Sequence, residues 1–145
     1  MNWAVIAIQR LRDYENRKQA IANIPAQIKT LEMQCEALRS ANTDGTPVHG
    51  GTNKREDMLV NNITKREELK NNYRIAKREV ELTEKGLAAL SEEDRKILEL
   101  FYINRPTDYI ERLCEELCVE RSRVYTLKDR ALRNFTVVIY GIIEI

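Results

Sequence analysis

Between Val119 and Phe135 the chain places five basic side chains, Arg121, Arg123, Lys128, Arg130 and Arg133, against two acidic ones, Glu120 and Asp129. The local charge is +3 in a protein whose overall formal charge is +1. Cations gathered on one short element attract phosphates, and this density is the electrostatic footprint of a nucleic-acid backbone contact. Helical spacing organises the same stretch. Val124, Leu127, Ala131 and Phe135 recur at i, i+3, i+7 and i+11, so they share one face and form the expected core side. Ser122, Thr126, Asp129 and Arg133 fall opposite, with Arg123 and Arg130 on one flank and Tyr125 on the other. Hydroxyl, guanidinium and phenol groups on one outer face are the groups that hydrogen-bond base edges and phosphate oxygens in a duplex groove. The candidate DNA-binding residues are therefore Arg121, Ser122, Arg123, Tyr125, Thr126, Arg130 and Arg133. Ser122, Arg123, Thr126 and Arg130 are expected on the groove side, Arg121 and Arg133 on phosphates.

A helix that reads a groove needs a second helix to hold it. Pro106-Thr107 has the chemistry of a helix start, with Thr107 as the N-cap, and Ile110, Leu113, Cys114 and Leu117 then form one apolar face. Cys118-Val119-Glu120 separates this helix from the next by the short break of a helix-turn-helix. A three-helix packing unit that binds protein would satisfy the apolar pattern equally but leaves the basic face without a role.

The run EELCVERSRVYTLKDRALRNF, preceded by LSEEDRKILELFYINRPTDYIERL, resembles region 4 of bacterial sigma factors over Leu90 to Phe135. In that family the turn is followed by an Arg-acid-Arg-aliphatic-Arg-Gln run and then by an Ala-Leu-Arg triplet. Here Arg121, Ser122, Arg123, Val124, Tyr125 and Thr126 occupy the run, and Ala131-Leu132-Arg133 the triplet. Ser122, Tyr125 and Thr126 replace an acidic residue, an Arg and a Gln, so the resemblance implies a way of docking on DNA and not a base sequence. Cys118 stands where the turn usually carries Gly, which implies either a left-handed Cys118 or a turn of another shape. The whole chain also resembles phage and prophage regulators of the ArpU and RinA types, in which a long helical hairpin precedes a region-4-like domain. That resemblance implies a late-gene regulator of phage or prophage origin, with RNA polymerase as a second partner.

The hairpin is also visible in the residues. Tyr14, Ile21, Ile24, Ile28, Leu31, Cys35 and Leu38 keep a heptad rhythm, as do Leu69, Tyr73, Ala76, Val80, Thr83, Leu87 and Leu90, the second line extending back to Leu59 through polar Asn62 and Arg66. Between them a stretch from Asn42 to Asn53 holds three of the five glycines and Pro47, which predicts a loop. Two helices of about 40 and 35 residues would run roughly 50 to 60 Å and pack antiparallel. Heptads by themselves name no partner. Pro25 sits inside the first line and predicts a kink or break, while Asn62, Arg66 and Thr83 are polar positions of the kind that fix register.

Other chemistries find little support. Cys114 and Cys118 are four apart, but a structural zinc wants four ligands, and the single histidine, His49, lies in the predicted loop. Carboxylates alternate with bases, as in Lys65-Arg66-Glu67-Glu68, the pattern of a solvated helix face. Gly50-Gly51-Thr52-Asn53-Lys54 lacks the glycine spacing and the strand of a phosphate loop. No metal, cofactor or catalytic residue is expected, and the protein is expected not to be an enzyme. Three cysteines at apolar-face positions predict reduced, packed thiols. No stretch reaches the ~20 apolar residues that cross a bilayer, so a cytoplasmic protein without membrane contact is expected.

The expected fold is all-α. A helical hairpin would span 1–88 with its loop at 43–53, a helix-turn-helix domain 89–135, and an apolar tail 136–145 that continues as helix or strand and is covered by the protein or by another subunit. The expected function is sequence-specific recognition of double-stranded DNA by a transcription regulator acting as a homo-oligomer. A small-terminase-type DNA-packaging subunit and a structural coiled-coil scaffold are the alternatives. A binding site upstream of a late operon, a site at a packaging locus, or no site would separate the three.

Overall fold

A computed structural model describes residues 1–40 and 51–142, and every regular element among them is helical. The helices are α1 (Trp3–Ser40), α2 (Gly51–Ala88), α3 (Glu92–Leu98), α4 (Tyr109–Leu117) and α5 (Arg121–Tyr140), with a π-helical turn, Glu99–Ile103, running on from α3. The all-α expectation holds. The predicted loop at 43–53 falls largely outside the described residues, His49 included, while 51–53 form the first turn of α2 instead. Glycine is costly in a helix interior and far better tolerated at a helix start. Both long helices have 38 residues.

Contacts divide the chain into two compact units, Lys18–Lys77 and a second built from Met1–Arg17 with Arg78–Ile145. In the first unit the heptad positions are the covered ones: Ile24, Cys35, Asn62 and Ala76 are buried, and Ile21, Ile28, Leu31, Leu38, Leu69 and Tyr73 half-buried. Its polar positions are satisfied rather than orphaned. Asn62 donates from Nδ2 to the Leu31 carbonyl at 2.8 Å, and Arg66 donates from Nε to Asn62 Oδ1 at 2.9 Å. Arg66 Nη2 also lies 3.7 Å from Cys35 Sγ. Buried polar groups are tolerated when paired in this way, and polar heptad positions of this kind help to specify register.

Of the kink or break predicted at Pro25, the break does not occur; α1 runs through it without interruption. Pro25 is exposed. Its ring removes one backbone donor, but on the solvent side water can take up the carbonyl that loses its partner, and the apolar line through Ile24 and Ile28 holds the helix across the gap.

The second unit contains most of the core. Ile97, Leu98, Leu113, Val124, Ala131 and Phe135 are fully or almost fully buried, joined by Ala7 and Leu11 from the start of α1. Ser91 begins α3 as its N-cap, accepting from the Asp94 amide at 3.2 Å, and Glu92, Glu93 and Asp94 place negative charge on the positive end of the helix. The Asp94 carboxylate then accepts from Asn134 Nδ2 at 2.9 Å, tying α3 to α5. At the other end of α5 the Tyr140 ring lies 4.9 Å from Trp3, and its hydroxyl accepts from Arg10 Nε at 3.0 Å. Arg10 is also paired with Glu79.

Gly86 lets α2 approach α5. A Cβ there would lie 2.9 Å from Phe135 Cε2 and press on Ile139 as well. The stretch after Phe135 continues as helix to Tyr140, and Gly141, in the left-handed region at φ 83°, ends it. Thr136 is buried and donates to the Leu132 carbonyl at 2.7 Å, whereas Val137, Val138 and Ile142 are exposed. Residues 143–145 of the apolar tail lie outside the described residues.

Candidate nucleic-acid interface

The helix that supports the candidate face starts later than its sequence predicts. The N-cap of α4 is Asp108, not Thr107: the first helical bond runs from the Arg112 amide to the Asp108 carbonyl at 3.0 Å, and the Arg112 side chain pairs with the Asp108 carboxylate at 3.1 Å. That i, i+4 pair fixes the first turn where a threonine hydroxyl would have had to. Ile110 and Leu113 are buried and Cys114 and Leu117 half-buried, so the four predicted apolar positions form the inner face. Lys96 of α3 meets Glu116 of α4 at 2.9 Å on the outside.

Cys118 resolves the question of the turn. It adopts φ 55° and ψ 46°, the left-handed conformation, as the C-cap of α4. Its amide and that of Val119 both return to the Cys114 carbonyl, the latter at 3.2 Å. The turn therefore keeps the shape a glycine would give it. Cys118 is exposed rather than packed, because its left-handed backbone takes the residue off the apolar face of α4; of the other two cysteines, Cys35 is buried and Cys114 half-buried. Glu120, extended at φ −74° and ψ 159°, then leads into α5 without a side-chain cap.

On α5 the predicted inner face is the buried one, with Val124, Ala131 and Phe135 fully covered and Leu127 nearly so. Arg121, Ser122, Arg123, Thr126, Arg130 and Arg133 are all exposed, and Tyr125 is 40% exposed. No ion pair among the described residues engages Arg121, Arg123, Arg130 or Arg133. Thr126 Oγ1 lies 3.4 Å from the Ser122 carbonyl, a long bond that leaves the hydroxyl free to exchange partners. Of the basic residues on α5, Lys128 alone has its charge met, by Asp129 at 2.7 Å. Burial, the largest influence on Lys128, pulls its pKa down, but the bond to Asp129 and the neighbouring tyrosines raise it overall, so it is charged at neutral pH. Arginine edges and small hydroxyls on a half-open helix can donate to phosphate and to base acceptors. Two flanks separate these residues: Arg123 and Arg130 lie on one side of the helix, Arg121 and Tyr125 on the other.

The Tyr125 flank meets residues that sequence reasoning did not select. The π-helical turn carries Phe101, a buried ring with Tyr109 at 5.2 Å, Tyr125 at 6.0 Å and Tyr102 at 6.0 Å around it. Arg105 stacks on Tyr109 at 3.9 Å from the ring centroid and donates to its hydroxyl, Arg12 lies 5.9 Å from the centroid of Tyr102, and Lys128 5.8 Å from that of Phe101. Arg105 and Tyr109 are four apart, a spacing that could have flagged them. Arg12 gives no local signal.

Among the described residues no group of three or more His, Cys, Asp or Glu is placed to hold a metal ion, and no helix is long and apolar enough to cross a membrane. No curated protein and no solved structure matches the chain. A family profile described as a protein of unknown function (DUF1492) matches residues 37–136, well over half of the chain, and the protein belongs to that family.

Proposed function

We propose that the protein is a sequence-specific double-stranded DNA-binding transcription regulator of phage or prophage origin, acting on late genes from the cytoplasm. In this reading α4, the Cys118 turn and α5 are a helix-turn-helix resembling sigma factor region 4, and α1 and α2 form a helical hairpin. One observation carries it: α5 buries its four apolar positions while Arg121, Arg123, Arg130 and Arg133 stay exposed and without an ion pair among the described residues. Four exposed guanidiniums gathered on one helix without carboxylate partners raise the local positive potential, which attracts a polyanion.

Ser122, Arg123, Thr126 and Arg130 enter the groove, Arg121 and Arg133 hold phosphates, and Tyr125 borders the site. The protein works as a homo-oligomer, because a single small head reads few base pairs and paired heads read half-sites about one helical turn apart. The heptad positions are already covered within the chain, so the subunit contact uses the outward residues of the hairpin, where Met33, Val60, Ile63 and Ile75 are exposed. RNA polymerase is the second partner implied by activation.

Footprinting on the genome that encodes the protein tests the reading, with a protected site upstream of a late operon as the expected result. If each of the five basic side chains of α5 neutralises a phosphate, log K falls with log[salt] at a slope of about −4.5, each contributing about −0.9. A slope near zero would remove DNA binding from consideration.

A further inference from the structure

We propose that Arg12 and Arg105, together with Lys128, form a phosphate-binding patch beside α5, so that the first helix of the chain takes part in holding the duplex. The proposal rests on the DNA-binding reading above and extends it to residues outside the helix-turn-helix.

Three cations distant in sequence are brought together by one ring. Phe101 has Lys128 on it directly, Tyr109 with Arg105 at one edge and Tyr102 with Arg12 at another. The π-helical turn makes this possible, the Asn104 amide reaching back five residues to the Glu99 carbonyl at 2.8 Å and so widening the turn that presents Phe101 and Tyr102. Single π-turns are uncommon and occur often where a side chain must be aimed for function.

Arg12 and Arg105 are exposed, and among the described residues neither has a carboxylate partner. A guanidinium held against a ring keeps edge N–H groups for a phosphate, in Arg105 those not donated to the Tyr109 hydroxyl, and the contact restricts the side chain that a phosphate would otherwise have to order. The patch is continuous with α5 through Tyr125 and Lys128, so a duplex lying along α5 would meet it. Asp129, bonded to Lys128, is the carboxylate on α5 at this edge, and it leaves the two arginine charges unopposed. The ligand chemistry is the phosphodiester backbone. An acidic protein surface is the competing occupant.

The test uses the full chain and measures affinity for the footprinted duplex and for a random-sequence duplex by fluorescence anisotropy over a range of salt. With Arg12 and Arg105 added to the five cations of α5 counted above, the wild-type slope is about −6, and the double variant Arg12→Ala, Arg105→Ala makes it about 1.8 shallower. Both duplexes lose affinity by the same factor, because phosphate contacts carry no sequence information. Arg12→Lys keeps the charge and most of the slope, whereas Arg12→Gln keeps much of the stem over Tyr102 and loses about 0.9; the pair stays readable if alanine loosens the packing. Arg74→Ala, an exposed charge in the other unit, leaves the slope unchanged. A steep wild-type slope that the double variant does not alter overturns the patch and leaves the DNA-binding reading standing, as does an equal loss in Arg74→Ala. A wild-type chain that binds neither duplex overturns both.

Discussion

Replacing Cys118 by glycine should stabilise the protein, and the size of the gain follows from the turn. At φ 55° and ψ 46° the Cβ of Cys118 crowds the following carbonyl, a conformation that costs an L-residue about 1 to 2 kcal/mol and glycine almost nothing. Glycine also makes the unfolded chain more flexible, which returns about 0.4 to 1 kcal/mol of the gain. The thiol contributes little against this, lying exposed and 3.6 Å from the Glu115 carbonyl. The net expectation for Cys118→Gly is a gain of about 0.8 kcal/mol. Cys118→Ala should sit near wild type, because it keeps the Cβ and therefore the strain. Cys118→Val should fall below both, since a β-branched residue is least tolerant of positive φ. Urea unfolding of the four proteins followed by circular dichroism gives the ranking. A glycine variant less stable than the alanine variant would show that the left-handed turn is not where the strain resides.

Gly86→Ala sets a helix-propensity gain of about 1 kcal/mol against the cost of pressing a methyl into Phe135, about 1 to 3 kcal/mol, so a net loss of about 1 kcal/mol is expected by urea unfolding. A stabilised variant would mean that α2 does not approach α5 closely. Tyr14 predicts a pH effect: burial, then the hydrogen bond its hydroxyl donates to Glu84 at 2.8 Å and the carboxylates nearby, push its pKa from 10.0 to about 12. The folded state holds that proton more tightly than the unfolded chain, so this contribution is complete below pH 10 and is lost as pH rises towards 12. Tyr14→Phe should flatten stability across that window relative to wild type, and unchanged pH dependence would refute the assignment. Arg123→Ala should cost about 1 to 3 kcal/mol on the specific duplex and much less on a random one if its guanidinium meets a base. Equal losses would move Arg123 to the phosphates.

The α5 face was legible because it depends on local spacing alone. Val124, Leu127, Ala131 and Phe135 are set by 3.6-residue periodicity, and their burial in turn fixes which residues remain outside. The heptad lines were legible for the same reason, and even polar Asn62 fell on the covered side. Element ends were harder. Thr107 and Asp108 are neighbouring residues that can both cap a helix, so capping preference leaves the start undecided within one residue until the Asp108–Arg112 pair is counted. Pro25 predicted a kink or break, and the break fails for a reason sequence alone cannot supply: the proline is exposed to solvent, where the lost bond is least costly.

The role of the first 17 residues could not be read from periodicity, and the reason bears on function. Ala7 and Leu11 lie in a helix whose later residues carry a heptad line, so they look like its beginning; their burial depends on Arg78–Ile145, far along the chain. The contacts that secure them are Trp3 with Tyr140 and Arg10 with Tyr140 and Glu79; the pairings with Tyr140 lie 130 or more residues apart and join side chains that no local rule connects. Tyr140 in turn belongs to the helix that begins with Arg121 and carries the basic face. In the unit that holds α5, the last turn of that helix is therefore held by residues from the first turns of α1. Arg12, one residue from buried Leu11, is held over Tyr102 by that same closure. A cation whose placement depends on residues so distant in sequence can serve a phosphate only in the folded whole, which is why neither its burial pattern nor its charge distinguished it from the other arginines of the chain.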